Sequence, residues 1–165
     1  MSYEEALERT DPMQSKTVTN GSVDEEAAIE RFKDFYAVFT PENVLARVRD
    51  VYAKDAYLTD ALRELNGIED IEAYMLRLLK AVESCTFEFL DVAVSGGEYY
   101  FRWVSEAKPK TIRKGRTMRL YGMSHIRFDE TGKVVFHVDY WDSAGGIFEH
   151  IPVLGGLIKL IKRRI

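Results

Sequence analysis

The stretch Val134-Val135-Phe136-His137-Val138-Asp139-Tyr140-Trp141-Asp142 decides the fold. β-Branched and aromatic residues dominate it and the turn Asp129-Glu130-Thr131-Gly132 launches it, so it reads as a strand. With a side-chain period of two, His137, Asp139 and Trp141 share one face, and Phe136, Val138 and Tyr140 share the other. A carboxylate inside an apolar strand must be hydrogen-bonded, paired or solvated, because burying it bare is too costly. The polar face therefore either lines a wet pocket or lies at the surface.

Working back from this strand, Thr117 to Phe128 reads as its hairpin partner. Before that, Thr86 to Val94 and Glu98 to Ala107 alternate with period two around a Ser95-Gly96-Gly97 turn, which makes a second hairpin. The two hairpins are joined by a basic loop with Lys108, Lys110, Arg113, Lys114 and Arg116, read as a solvated tip. Upstream of Thr86 the period becomes helical. A helix over Glu69 to Glu83 buries Ile71, Met75, Leu78, Leu79 and Val82. A short strand-like run, Ala56 to Leu62, precedes the Asn66-Gly67 break. Thr40 as N-cap and Pro41 in the first turn start a helix with Val44, Leu45, Val48, Val51 and Tyr52 in its stripe. Ser22 and Glu25 form a capping box for a helix presenting Ala28, Ile29, Phe32, Phe35, Tyr36 and Phe39.

Residues 1–22 are polar and rich in turn formers, so they read as a flexible arm with one helical turn at Tyr3 to Arg9. Residues 23–148 make the domain. Residues 149–165 form an amphipathic helix, with Leu154, Leu157, Ile158, Ile161 and Ile165 set against Lys159, Lys162, Arg163 and Arg164. Three helices followed by an antiparallel meander make an α+β pattern.

A formal net charge of -4 argues against nucleic acid as the partner, since duplex binding needs an extended basic surface. The one cysteine, Cys85, leaves no internal disulfide. The start of the chain has neither a basic region nor an apolar run, and no apolar stretch approaches the ~18 residues of a membrane span. The expected location is cytoplasmic. Glycine-rich phosphate loops, serine nucleophile elbows and paired-cysteine metal sites are missing from the sequence.

Several segments together carry a family resemblance. They are Val51-Tyr52-Ala53-Lys54-Asp55-Ala56 leading to Asp60, Asn66-Gly67-Ile68-Glu69-Asp70-Ile71, His125 to Val134, and Asp139-Tyr140-Trp141-Asp142. Over residues 25–148 the chain resembles the nuclear transport factor 2-like superfamily, in its SnoaL-like branch of polyketide cyclases. Ketosteroid isomerases and limonene epoxide hydrolases are relatives of that branch. The resemblance implies a cone-shaped, curved antiparallel sheet packed against three N-terminal helices, a cystatin-like roll, with the last helix appended. A mostly apolar pocket would lie inside, with His137, Asp139 and Trp141 facing it.

By the same resemblance, Asp139 matches the acid/base aspartate of the cyclases, with His137 placed to orient it or share its proton. Asp60 matches the isomerase general base and Tyr36 its oxyanion tyrosine, whereas Ser124 stands where the isomerase keeps a protonated aspartate. A desolvated carboxylate can shuttle protons near neutral pH. Phe32, Phe101, Trp103, Leu120, Ser124 and Trp141 are the candidate ligand-binding residues, with Gly122 leaving room beside them. His137 and Tyr36 are equally readable as satisfied core groups, and Asp60 as a turn carboxylate.

Two functions follow from the resemblance. One is a cofactor-independent acid/base enzyme of isomerase, cyclase or hydratase type, acting on a small hydrophobic carbonyl or lipid-like compound with no cofactor and no metal. The other is a non-catalytic ligand-binding or protein-interaction domain. The expected partners are the small hydrophobic molecule and a second copy joined through the outer sheet face at Phe136, Val138 and Tyr140. The basic last helix adds a peripheral membrane contact.

Overall fold

The computed structural model describes residues 1–111, 115–151 and 153–164. Arg113 and Lys114 of the basic loop and Ile165 of the last stripe lie outside the described residues. The elements run α1 (Tyr3–Arg9), α2 (Val23–Ala37), α3 (Pro41–Val51), β1 (Tyr52–Thr59), β2 (Glu64–Asn66), α4 (Ile68–Ala81), β3 (Val82–Ser95), β4 (Glu98–Pro109), β5 (Met118–Phe128), β6 (Val134–Trp141), α5 (Ser143–Gly146), a 3-10 turn at Phe148–His150, and α6 (Leu154–Lys162).

The helices start where their caps say. Thr40 accepts from the Asn43 amide with Pro41 in the first turn, and Ser22 accepts from the Glu25 amide. Glu25 does not complete the expected box. Its carboxylate accepts from the Gly21 amide at 2.6 Å and from the Tyr99 hydroxyl at 2.6 Å, which ties the start of α2 to β4. Both helix-to-strand junctions are sharper than periodicity suggested. Tyr52 is already extended and pairs with Val134, and Val82 already pairs with Pro109, so α3 and α4 run into β1 and β3 without a loop.

Six strands form one sheet in the order β2-β1-β6-β5-β4-β3. The long meander from β3 to β6 is antiparallel, as alternation predicts, and Gly96 and Gly97 both take positive φ in its first turn, the geometry of a two-residue hairpin loop. The sheet is mixed, however, because β1 pairs with β6 in parallel. A register shift in β6 sets Phe128 opposite Val134 and Arg127 opposite Phe136. An extra residue of this kind bends a strand and re-aims its side chains. Val134 thereby joins the main core together with Phe128, while Phe136 turns to the opposite face.

Helices α2, α3 and α4 cover the inner face. Their aromatic and aliphatic stripes (Phe32, Phe35, Val44, Val48, Ile71 and Met75) are buried against Tyr99, Phe101, Ile126 and Phe128 of the sheet. On the outer face the structure departs from a loose arm. Residues 3–9 form α1, capped by Ser2 and Glu5, and α1 lies on that face with Ala6 packed among Tyr57, Phe136 and Val138. Phe136 and Val138, expected to meet a partner subunit, are covered by the chain's own α1. Tyr140, Tyr121 and Met123 stay exposed.

Arg127 anchors this helix. Its guanidinium donates to the carboxylate of Glu98 through two nitrogens, at 2.8 and 2.6 Å. It also donates to the Leu7 carbonyl at 2.6 Å and to the Thr10 hydroxyl at 2.9 Å, and it lies over the ring of Phe136. Burial alone would raise the pKa of Glu98, but hydrogen bonds from Arg127 and His125 outweigh it and hold the carboxyl below its ordinary range.

Candidate active site

The candidate site centres on β6, where the register places His137 and Asp139 opposite Ile126 and Ser124 of β5. His137 is 1% exposed and Asp139 is half-buried, so the imidazole stands behind the carboxylate. His137 Nε2 lies 2.9 Å from Asp139 Oδ1, and the Ser124 hydroxyl donates to the same oxygen at 2.5 Å. Ser124 in turn accepts from the Trp103 indole N–H at 2.9 Å. No donor among the described residues contacts Asp139 Oδ2, and the side chain lines the cavity. One carboxylate oxygen is thus fixed and the other is left to the cavity.

Behind His137 the network continues. The Tyr52 hydroxyl is 2.6 Å from His137 Nδ1 and 2.6 Å from the Tyr36 hydroxyl. A carboxylate can only accept, so His137 Nε2 carries the proton and Nδ1 is the bare acceptor. Tyr52 then donates to Nδ1, and Tyr36 donates to Tyr52. Burial, reinforced for Tyr36 by the charge of Asp139 and for Tyr52 by Tyr36, pushes both phenols well above the ordinary tyrosine value. They stay protonated and serve as hydrogen-bonding groups. Tyr36 and Asp139, the two ends of the chain, both line the cavity, whereas Tyr52 and His137 do not.

The cavity has a volume of about 250 Å³. Phe39, Met75, Leu78, Leu79, Phe87 and Met118 supply much of an apolar wall, and Tyr36, Asp60, Tyr74, Asp139 and Trp141 gather at the polar end. Apolar walls with few convergent polar groups are the usual composition of a small-molecule site. Gly122 permits the wall opposite β6, since a Cβ there would meet the Trp103 ring at 2.3 Å. Cys85 also lines the cavity, but burial pushes its thiol up, away from a reactive thiolate.

Asp60 reaches the cavity with both oxygens engaged. Oδ1 accepts from the amides of Leu62 and Arg63, and Oδ2 accepts from the Tyr74 hydroxyl at 2.5 Å. It closes a turn in which Ala61 takes a φ of 66°, and its own carbonyl accepts from the Trp141 indole. Burial raises its pKa, and the three hydrogen bonds offset that only in part.

Of the residues singled out in the sequence, Asp139, Asp60, Tyr36, Trp103, Leu120 and Trp141 line the cavity. His137 and Ser124 stand one step behind Asp139. Phe32 and Phe101 do not line it; their rings pack 4.7 Å apart in the core behind the network. Sequence reasoning missed Tyr52 and Tyr74. Tyr52 was absorbed into the stripe of α3, although it begins β1. Tyr74 lies three residues after Ile71, on the buried face of α4, and that spacing was the available signal.

The fold is an α+β one of nuclear transport factor 2-like type, a six-stranded mixed sheet with helices on its inner face, and a polar network borders its cavity. The SnoaL-like domain matches residues 32–137, so the chain belongs to the SnoaL-like family. Among solved structures, it is similar to a protein assigned as a SnoaL-like polyketide cyclase from Jannaschia sp. CCS1, with 12% identity and a TM-score of 0.68 over 82% of this chain and 98% of that one. It is also similar to an LEH-like epoxide hydrolase from M. tuberculosis, with 14% identity and a TM-score of 0.59 over 86% and 98%. A third is TsrD from Streptomyces laurentii, with 18% identity and a TM-score of 0.61 over 83% and 98%. At these identities the likeness is one of fold. No curated protein matches the sequence.

Proposed function

We propose that the protein is a cofactor-independent acid/base enzyme acting on a small hydrophobic carbonyl or lipid-like compound. The observation that supports this reading best is the asymmetry of Asp139. Oδ1 is held by Ser124 and His137, Oδ2 meets no donor among the described residues, and the side chain lines a mostly apolar cavity. A carboxylate held this way is oriented to take a proton from a bound carbon acid through Oδ2. Oδ2 can then hand that proton to another carbon or to the oxygen of the same ligand, while the Ser124 hydroxyl and the His137 Nε2–H hold Oδ1 throughout. Tyr36 and Tyr52 keep their protons and hold the unprotonated Nδ1 of His137 in place, Tyr36 donating to Tyr52 and Tyr52 to Nδ1. Asp139 ends with the proton count it began with, so one proton leaves the ligand at Oδ2 and one returns from it. In this reading Asp60 shapes the polar end together with Tyr74, and Trp141 and Leu120 hold the apolar part of the ligand.

The test is Asp139→Asn. Its amide oxygen can keep the hydrogen bonds from Ser124 and His137 while its NH2 group replaces Oδ2, so the fold is retained. Hydrophobic ketones are incubated with the protein in deuterated water, and deuterium uptake beside the carbonyl is followed by NMR. Quenching of tryptophan fluorescence reports binding. Exchange by the wild type, with loss of at least ~100-fold in the variant at unchanged binding, is expected for a removed general base. Binding without exchange by the wild type would refute catalysis of this kind and leave a ligand-binding domain.

A further inference from the structure

We infer that α6 and the basic rim of the cone form a docking surface for an anionic lipid bilayer, with the cavity opening toward it. This stands whether or not the cavity performs chemistry. Helix α6 makes little use of its apolar side within the fold. Leu154, Leu157, Leu160 and Ile161 are 38%, 55%, 49% and 51% exposed, and Val153, just before them, is 91% exposed. At ~100° per residue, Leu154, Leu157, Ile158 and Ile161 fall within one arc and Lys159, Lys162 and Arg163 within another, the division seen in helices that lie in a membrane interface. The segment 153–164 has no acidic residue. Lys162 pairs with Glu149 at 2.5 Å, whereas Lys159, Arg163 and Arg164 meet no carboxylate among the described residues.

The position of α6 is the second observation. It packs on the Phe148–His150 turn, so closely at Gly155 that a Cβ there would meet the Glu149 carbonyl oxygen at 2.1 Å. One residue before that turn, Ile147 lines the cavity. The exposed end of the cavity wall is formed by Ala81 and Thr111, with Pro109 half-buried beside them in the lining. Lys80 and Lys110, next in the chain to these residues, are exposed and meet no carboxylate among the described residues, while Lys108 pairs with Glu83 at 2.6 Å. Unpaired positive charge therefore lies beside the exposed end of the cavity in a protein whose net charge is -4.

A bilayer fits this surface better than a second copy does. Pairing two α6 stripes would bring two sets of cations together with no acidic residue in either segment to oppose them. An anionic lipid surface instead accepts the leucines and isoleucines among its acyl chains and the cations among its headgroups. No described helix is long and apolar enough to cross a membrane, so the contact lies along the surface.

The experiment is co-sedimentation of the full chain with vesicles of phosphatidylcholine alone and of phosphatidylcholine mixed with phosphatidylglycerol, at low and high salt. The expected result is binding to the mixed vesicles that weakens with salt and is at least ~10-fold weaker on the neutral ones, since each cation near an anionic surface strengthens partitioning about fivefold. Lys159→Gln with Arg163→Gln is expected to weaken binding to the mixed vesicles about 25-fold. Leu157→Ser with Ile161→Ser is expected to abolish it, with the thermal midpoint unchanged. No binding to the mixed vesicles at low salt, or binding indifferent to the serine pair, would overturn the inference. So would a dimer in light scattering that the serine pair dissolves while vesicles remain unbound, since a second copy would then be the occupant.

Discussion

Replacing Tyr52 by Phe tests the buried network directly, because it deletes one oxygen and leaves the ring. That oxygen is 2.6 Å from both His137 Nδ1 and the Tyr36 hydroxyl. Tyr36 borders the cavity, so its hydroxyl can turn toward water. His137 is 1% exposed, and its Nδ1 is left with no donor. An orphaned buried polar group costs about 1–3 kcal/mol. We therefore expect a loss of about 2 kcal/mol, which for a chain of this length lowers the thermal midpoint by roughly 4–8 °C. Urea unfolding at neutral pH, followed by far-UV circular dichroism, gives the difference, and an unchanged slope against urea confirms that only stability moved. Tyr140→Phe is the control. Its hydroxyl meets Tyr3 at 3.5 Å on a side chain that is 47% exposed, and its loss should stay within about 0.5 kcal/mol. If Tyr52→Phe is as stable as the control, the Tyr36-Tyr52-His137 chain does not hold the site together and does not orient the imidazole behind Asp139.

Arg127→Met should release α1 by removing its links to Leu7 and Thr10, and should leave Glu98 poorly paired at a cost of about 3–5 kcal/mol. Faster amide exchange over residues 3–10 together with a lower urea midpoint checks this, and unchanged exchange there would contradict the anchoring role. The pH dependence carries two opposite signs. The folded pKa of Glu98 is depressed, so its stabilisation is present above the ordinary glutamate value of 4.5 and is lost as pH falls through the folded value. The folded pKa of Asp60 is raised, so its ionisation destabilises the fold above that pKa. Asp60→Asn should then gain stability at neutral pH over the wild type, with the gain vanishing below about the ordinary value of 3.8. A gain that persists in acid would show that ionisation is not its source.

Much of the fold is legible in local sequence. Caps at Ser22 and Thr40, the two glycines of the β3–β4 turn and the alternation of the meander are nearest-neighbour signals, and the structure follows them to within a few residues. That His137, Asp139 and Trp141 share one face follows from the period of two, whereas the expectation that this face points inward came from the family resemblance. The same parity rule, run one residue too far through the irregularity in β6, would misplace Val134. Tyr52 belongs to a helical stripe by spacing alone, because the junction at Val51 is set by pairing with β6.

The sequence by itself determined the α+β class of the chain, the order of its main helices and long strands, and the placing of His137, Asp139 and Trp141 on one face. Those depend on local conformation and side-chain period. Tertiary structure alone decided which groups meet. Parallel pairing of β1 with β6 brought Tyr52 to His137, residues 85 positions apart. Arg127 drew α1 onto the outer face from 117 positions away at Thr10, and covered the surface where a second subunit was expected. Contacts at such separations leave no periodic trace, since they depend on packing complementarity between elements rather than on the preferences of either one.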